Sequence, residues 1–216
     1  MQVEIWSDVV CPWCYIGKRR FEAALARFAH ADDVEVRWRS FELDPSAPRV
    51  RQIAMADHLA GKYGMPRSEA EAMQERITAL AAEEGLVYRF DRARLGNTFA
   101  AHRLLHLAAE HGVQGQTKER LMAAAFTEGE PIGDPATLIR LAGEVGLDAA
   151  KVAEVLDSDA YADAVRADEA DARALGISGV PCFTVDRRIG VSGAQPAEVL
   201  ARLLEQGRQA TEAARG

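Results

Sequence analysis

Val3-Glu4-Ile5-Trp6, then Ser7-Asp8-Val9-Val10, then Cys11-Pro12-Trp13-Cys14: an apolar run of strand character gives way, within four residues, to two cysteines at the head of a long amphipathic segment. Paired thiols at a strand-to-helix junction suit thiol–disulfide exchange. The first turn of a helix leaves backbone N–H groups unpaired and carries the positive end of the helix dipole, so a thiolate is favoured there. Pro12 at the first helical position gives up no needed N–H and presets the backbone angle. Cys11, first in the motif and the more exposed, is read as the nucleophile. Cys14, one turn further in, is placed to resolve a mixed disulfide. The competing readings are two incidental cysteines or half of a zinc site. Zinc needs four ligands, and the sequence has no second CxxC.

Composition narrows the class. A chain of 216 residues, 48% hydrophobic and 27% charged, has the balance of a globular protein able to bury a core. A net charge of −7 argues against a general affinity for nucleic acid or anionic membranes. No apolar run approaches the roughly 18 residues of a membrane span. The first strand reaches Cys11 at once, leaving no room for an export segment, so the expected location is cytoplasmic. There, structural disulfides are rare and a CxxC is catalytic or metal-binding.

The pattern along the chain is β-α-β, a helical block, then β-β-α. Val3–Ser7 reads as a strand, 12–29 as a helix with Ile16, Phe21, Leu25 and Phe28 on one face, and 34–39 as a second strand. From Gln52 to Leu175 nearly everything is helical. Ser68 with Glu71 reads as a capping box, Asn97 as a cap for the helix 98–111, and 117–126 as another helix. Asp134-Pro135 opens the next helix, and further helices span 148–156 and 161–175. Cys182–Val185 and Ile189–Val191 then form a hairpin around Asp186-Arg187-Arg188, and a last helix follows Pro196. The fold class is therefore α/β: a thioredoxin-like fold with a mixed central sheet and a large helical insertion. Residues 1–50 and 176–208 would form the discontinuous thioredoxin-like domain, 51–175 the inserted helical domain, and 209–216 a flexible tail.

Other residues around the pair have two readings each. Gly179-Val180-Pro181 precedes a strand and suits a cis X–Pro bond, with an ordinary trans proline as the alternative. In a thioredoxin-like core this loop faces the CxxC, and the Val180 backbone can pair with an extended substrate. Asp8 either bonds a backbone N–H in the strand-to-helix turn, the preferred reading, or tunes the cysteine pair. Trp13 can shield the disulfide and offer substrate an apolar contact. Cys182 is read first as a small apolar core residue, and otherwise as a third redox thiol or third metal ligand. Asn97 is most simply a helix cap, with a place in the substrate cleft as the alternative. His102 and His106 have the spacing of paired ligands, but Arg103 stands where a metalloprotease motif needs glutamate, and no metal is assigned to them.

Several of these stretches together resemble the DsbA-like oxidoreductases, specifically the FrnE branch. The resemblance rests on Ser7 through Arg19, on Asn97-Thr98 with Ala101-His102-Arg103-Leu104, on Glu128-Gly129 with Ile132-Gly133-Asp134, and on Gly176-Ile177, Gly179-Val180-Pro181 and Val191 through Gln195. It implies a thioredoxin fold with a helical insertion, a cis proline at Pro181, Cys11 and Cys14 as the dithiol, and a homodimer. The same superfamily holds the 2-hydroxychromene-2-carboxylate isomerases and kappa-class glutathione transferases, which carry serine where this chain has Cys11. Cys182 departs from the aromatic or aliphatic residue usual in the branch.

The expected activity is therefore dithiol–disulfide exchange on protein or small-molecule thiol and disulfide substrates, needing no bound cofactor or metal. A low-molecular-weight thiol is a further candidate partner. The alternatives are a thiol-dependent isomerase or transferase acting on aromatic or polyketide compounds, metal or cluster binding through Cys11, Cys14 and Cys182, and a redox-regulated chaperone.

Overall fold

Strand β1 (Gln2–Ser7) alternates Val3 and Ile5 on one face with Glu4 and Trp6 on the other, and all four are fully buried. A strand enclosed on both sides belongs in the middle of a sheet. In the computed structural model, which describes residues 1–213, β1 is flanked by β2 (Glu35–Ser40) and β3 (Cys182–Val185), and β4 (Ile189–Ser192) forms the edge beyond β3. The sheet is mixed, in the order β2-β1-β3-β4. β1 and β2 are parallel with Ile5 opposite Trp38, whereas β1–β3 and β3–β4 are antiparallel with Trp6 opposite Cys182 and Cys182 opposite Ser192. This is the α/β thioredoxin-like arrangement expected from the β-α-β and β-β-α order.

Helix α1 (Pro12–Ala26) crosses from β1 to β2, and α9 (Ala197–Ala213) follows the hairpin. Both cover the face presenting Val3, Ile5, Trp38, Phe183 and Val185, with Phe21, Leu200, Leu203 and Leu204 as the opposing side chains. Phe21 stacks on Phe183 at 5.7 Å between centroids. The opposite face carries Glu4, Trp6, Arg39, Cys182 and Thr184 by strand alternation. Helix α8 (Ala162–Ala174) serves it: Asp168 accepts from Arg39 at 2.8 Å and from the Ser40 N–H at 2.8 Å, and its carbonyl accepts the Trp6 indole N–H at 2.9 Å. Glu4, wholly buried, is held by the guanidinium groups of Arg39 and Arg187, each at 2.6 Å.

Residues 1–43 together with those from 166 onward form one compact unit, and residues 44–165 form a second. The sequence expectation set the boundaries at 50 and 175. The bonds from Asp168, and from Arg166 to Glu42 at 2.6 Å, tie the greater part of α8 to the sheet.

The second unit holds α2 (Met55–Tyr63), α3 (Arg67–Glu83), α4 (Phe99–Glu110), α5 (Gln114–Ala123), α6 (Pro135–Glu144) and α7 (Ala149–Asp157). Its core includes Leu104, Leu107, Leu121, Phe126, Leu138 and Val152, all essentially inaccessible. Asp134 and Asp148 cap α6 and α7, accepting from the N–H groups of Thr137 and Lys151 at 2.9 and 2.8 Å. The Arg103 guanidinium closes the far end of α7, donating to the carbonyls of Val155, Ser158 and Ala160.

Several sequence expectations are corrected. Ser68 caps nothing: Pro66, with extended ψ of 146°, already ends the preceding segment, α3 starts at Arg67, and Glu71 takes the Arg67 guanidinium at 2.9 Å instead of a backbone N–H. α1 stops at Ala26 rather than Ala29. α5 begins three residues before Thr117 and is followed by a π-helical turn, 124–128, that ends at Gly129 with φ of +78°. Residues 209–213 are not a flexible tail but the last turn of α9, where Thr211 donates to Asp186 at 2.8 Å. The remainder of that expected tail, 214–216, lies outside the described residues.

Candidate active site

Cys11 occupies the N-cap position of α1, with extended backbone angles (φ −91°, ψ 114°), and Pro12 follows at the first helical position. Its carbonyl accepts the N–H of Cys14 at 3.0 Å, so the two cysteines share one helical turn. All three cysteines of the chain are free thiols. Cys11 is 4% exposed and Cys14 not at all, so Cys11 is the more accessible by a narrow margin, and access is confined to one side chain. Trp13 between them is 39% exposed and stands outward.

The loop before β3 meets this turn. The Cys11 thiol donates to the carbonyl of Val180 at 3.7 Å, and the Val180–Pro181 peptide bond is cis. The Pro181 carbonyl is taken by the Gly193 N–H at 2.7 Å, which ties the loop to the end of the hairpin. Gly17, on the next turn of α1, permits the approach: a Cβ there would stand 2.9 Å from Cγ of Pro181. The role of Gly17 was not singled out from the sequence, because the close approach is created by a residue 164 positions away.

The surroundings of the Cys11 thiol favour its protonated form. Hydrogen bonding with Cys14 and then burial push it well above the ordinary thiol range, and the charge of Asp8 adds to the rise; the backbone N–H of Cys14 acts the other way. The N-terminal helix position alone therefore does not set the acidity of this sulfur. Asp8 is fully buried and its carboxylate accepts the Leu43 N–H at 2.8 Å. The segment leaving β2 is thus one backbone partner of Asp8.

Two other candidates are placed by their surroundings. Asn97 spends its side chain on local backbone within the second unit, accepting from the Phe99 N–H at 3.0 Å and donating to the Pro45 carbonyl at 3.1 Å. Cys182 lies beside Trp6 and Ala172, next to Phe183 in a strand whose Phe183 faces α1, so its sulfur points to the other side of the sheet. Burial raises its thiol above the usual range. Among the described residues no group of three histidine, cysteine or acidic side chains could hold a metal ion.

A family model for the DSBA-like thioredoxin domain matches residues 2–205. The chain belongs to that family. It is 31% identical over 193 residues to the protein YwbO of Bacillus subtilis (strain 168), with 86% of each covered. It is also similar to a probable DsbA oxidoreductase from Streptomyces coelicolor, at 48% identity and a TM-score of 0.92, covering 97% of this chain and 90% of that one. The fold is shared more distantly with the cytosolic disulfide reductase DsbM of Pseudomonas aeruginosa, solved with GSH, at 22% identity and a TM-score of 0.65 over 96% and 100% of the two chains. The chain is thus a member of the DsbA-like thioredoxin-fold oxidoreductase family. Among the described residues no helix is long and apolar enough to cross a membrane.

Proposed function

We propose that this DSBA-like protein is a thiol–disulfide oxidoreductase of the FrnE branch whose working pair is Cys11 and Cys14. The observation that carries this reading is the meeting of two thiols in one helical turn with the Val180 carbonyl, 3.7 Å from the Cys11 sulfur. The Cys11 thiolate attacks one sulfur of a substrate disulfide, forming a mixed disulfide and releasing the other half as thiolate. Cys14, after losing its proton, attacks the Cys11 sulfur, releases the reduced substrate and closes the Cys11–Cys14 disulfide. Run backward, the same steps oxidise a dithiol substrate. Pro12, Trp13, Asp8, Val180 and Pro181 support the pair: Trp13 offers an apolar contact, and Val180 a backbone for an extended substrate.

The substrates are protein or small-molecule thiols and disulfides, with a low-molecular-weight thiol as recycling partner, in a cytoplasmic homodimer. The likeness to DsbM, a cytosolic reductase solved with GSH, agrees with that setting. The helical unit, 44–165, is the inserted domain that selects substrate.

The experiment is a redox titration in glutathione buffers, with thiol trapping and peptide mass spectrometry. A reversible two-electron transition confined to Cys11 and Cys14 supports the reading, and its midpoint gives the direction of electron flow. Stable glutathione on Cys11 with no Cys11–Cys14 disulfide at any potential would turn the assignment to a thiol-dependent isomerase or transferase.

A further inference from the structure

The stretch Val191 through Gln195 carries part of the family resemblance, yet the exchange steps use none of its side chains. Its geometry gives it a task. Strand β4 ends at Ser192, and the chain turns at Gly193, whose φ of +84° lies in the left-handed region that favours glycine. The turn is closed from within. The Gln195 N–H donates to the Gly193 carbonyl and the Gln195 side-chain amide to the Ser192 carbonyl, both at 2.8 Å. In this arrangement the Gly193 N–H donates to the Pro181 carbonyl at 2.7 Å.

Helix α1 holds the same structure from the other side. Along it, Cys11 meets the Val180 carbonyl at 3.7 Å and Gly17 lies against Pro181. Further on, the partly buried Arg20 donates from Nη1 to the Ala194 carbonyl at 2.7 Å. A charged donor makes this bond stronger than a neutral pair. Cys11 and Arg20 thus grip two ends of one connected piece of backbone, the Val180–Pro181 loop and the 192–195 turn.

We propose that Arg20 is a positioning residue for the exchange reaction: through the 192–195 turn it fixes the Val180 carbonyl against the Cys11 sulfur. The inference rests on the exchange reading given above. An acceptor on an S–H group favours the protonated sulfur, and it acts only in the dithiol, because the disulfide has no such hydrogen. Releasing the turn therefore has two effects. Cys11 ionises more readily. The dithiol also yields more of its two electrons to oxidised glutathione, so the balance moves toward the Cys11–Cys14 disulfide and two glutathione thiols.

The test is alkylation of Cys11 by iodoacetamide against pH in the reduced protein, read by peptide mass spectrometry, beside the glutathione equilibrium. In Arg20→Met the pH profile should move to lower values, with a rate near neutrality about threefold faster and a comparable gain of disulfide. Arg20→Lys, which keeps a charged donor, should fall between. Arg208→Met on α9 breaks the pairs to Glu205 and Glu212 and should leave both readouts unmoved. An Arg20→Met profile that overlays the wild type, or an equal shift in Arg208→Met, overturns the proposal. So does a displacement to higher pH, which would make Arg20 a plain positive charge acting on the sulfur. A wild type that forms no Cys11–Cys14 disulfide defeats the exchange reading instead, and the alkylation profile still decides whether Arg20 sets the surroundings of Cys11. Should Arg20→Met fail to fold, Gln195→Met, which removes the amide closing the same turn, is expected to shift the profile the same way; an unmoved profile there overturns the proposal.

Discussion

Gly17 and Pro181 lie so close that a Cβ on the glycine would stand 2.9 Å from the proline Cγ and 3.3 Å from Cζ of Phe183. Gly17→Ala must therefore push α1 and the Val180–Pro181 loop apart. Overpacking of this kind costs about 1–3 kcal/mol, read as a lower midpoint of urea denaturation. The thiol contact to the Val180 carbonyl lies on the same loop, so the midpoint of the glutathione titration should move as well. Wild-type stability and an unmoved redox midpoint in Gly17→Ala would refute the packing argument.

The two cysteines should fail differently. Cys11→Ser removes the attacking sulfur and should abolish exchange, whereas Cys14→Ser should accumulate a mixed disulfide on Cys11 after exposure to a disulfide substrate. Non-reducing electrophoresis and peptide mass spectrometry distinguish the two. A Cys14→Ser variant that turns over at the wild-type rate contradicts a resolving role for Cys14.

Because the Cys11 thiol is raised by Cys14, by burial and by Asp8, its attack on a small disulfide should quicken with each rise of pH across the neutral range. Asp8→Asn keeps an oxygen for the Leu43 N–H and removes the nearby charge. The rate near neutral pH should then increase about three- to tenfold, with the pH profile displaced to lower values. The same shift has a stability sign. A raised acid binds its proton more tightly in the folded state, so the stabilisation is complete below the unfolded thiol value of about 8.5 and is lost as pH climbs toward the folded one. Denaturation of the reduced protein against pH should show this alkaline fall, and Cys11→Ala should lack it.

Burial alone would raise the carboxyl of Glu4, but the Arg187 and Arg39 guanidinium groups overcome it and hold it below the ordinary value. A depressed carboxylate stabilises the fold above its unfolded pKa and is lost as pH falls through the folded one. Glu4→Gln leaves the two guanidinium groups without their shared buried negative charge and should cost about 3 kcal/mol at neutral pH. The variant's denaturation midpoint should also depend less on pH on the acid side. Wild-type stability at pH 7 would show that the cluster is compensated elsewhere.

What the sequence discloses here is governed by how local the physics is. The motif turn is legible because a proline, two cysteines and an apolar run within a dozen positions specify a strand, a cap and a helix start. Asp134 and Asp148 are legible for the same reason, each accepting an N–H three residues on. Ser68 misleads because an extended proline two positions earlier already ends the chain's previous course. Asp168 is opaque for a different reason: its partners Trp6, Arg39 and Ser40 lie more than 120 positions away, and no window of sequence brings them together. The same holds for the contact of Gly17 with Pro181, visible only once β3 has found its place beside β1.

The pleat of β3 also bears on how the protein survives oxidation. Phe183 turns toward α1 while Cys182, one position earlier, turns away, so the sheet stands between that sulfur and Cys14. Under oxidising conditions three thiols could pair in three ways, and two of those would lock the chain in a dead product. On the exchange chemistry proposed for Cys11 and Cys14, alternation along a single strand keeps the third sulfur out of the cycle, so repeated turnover would return the same disulfide.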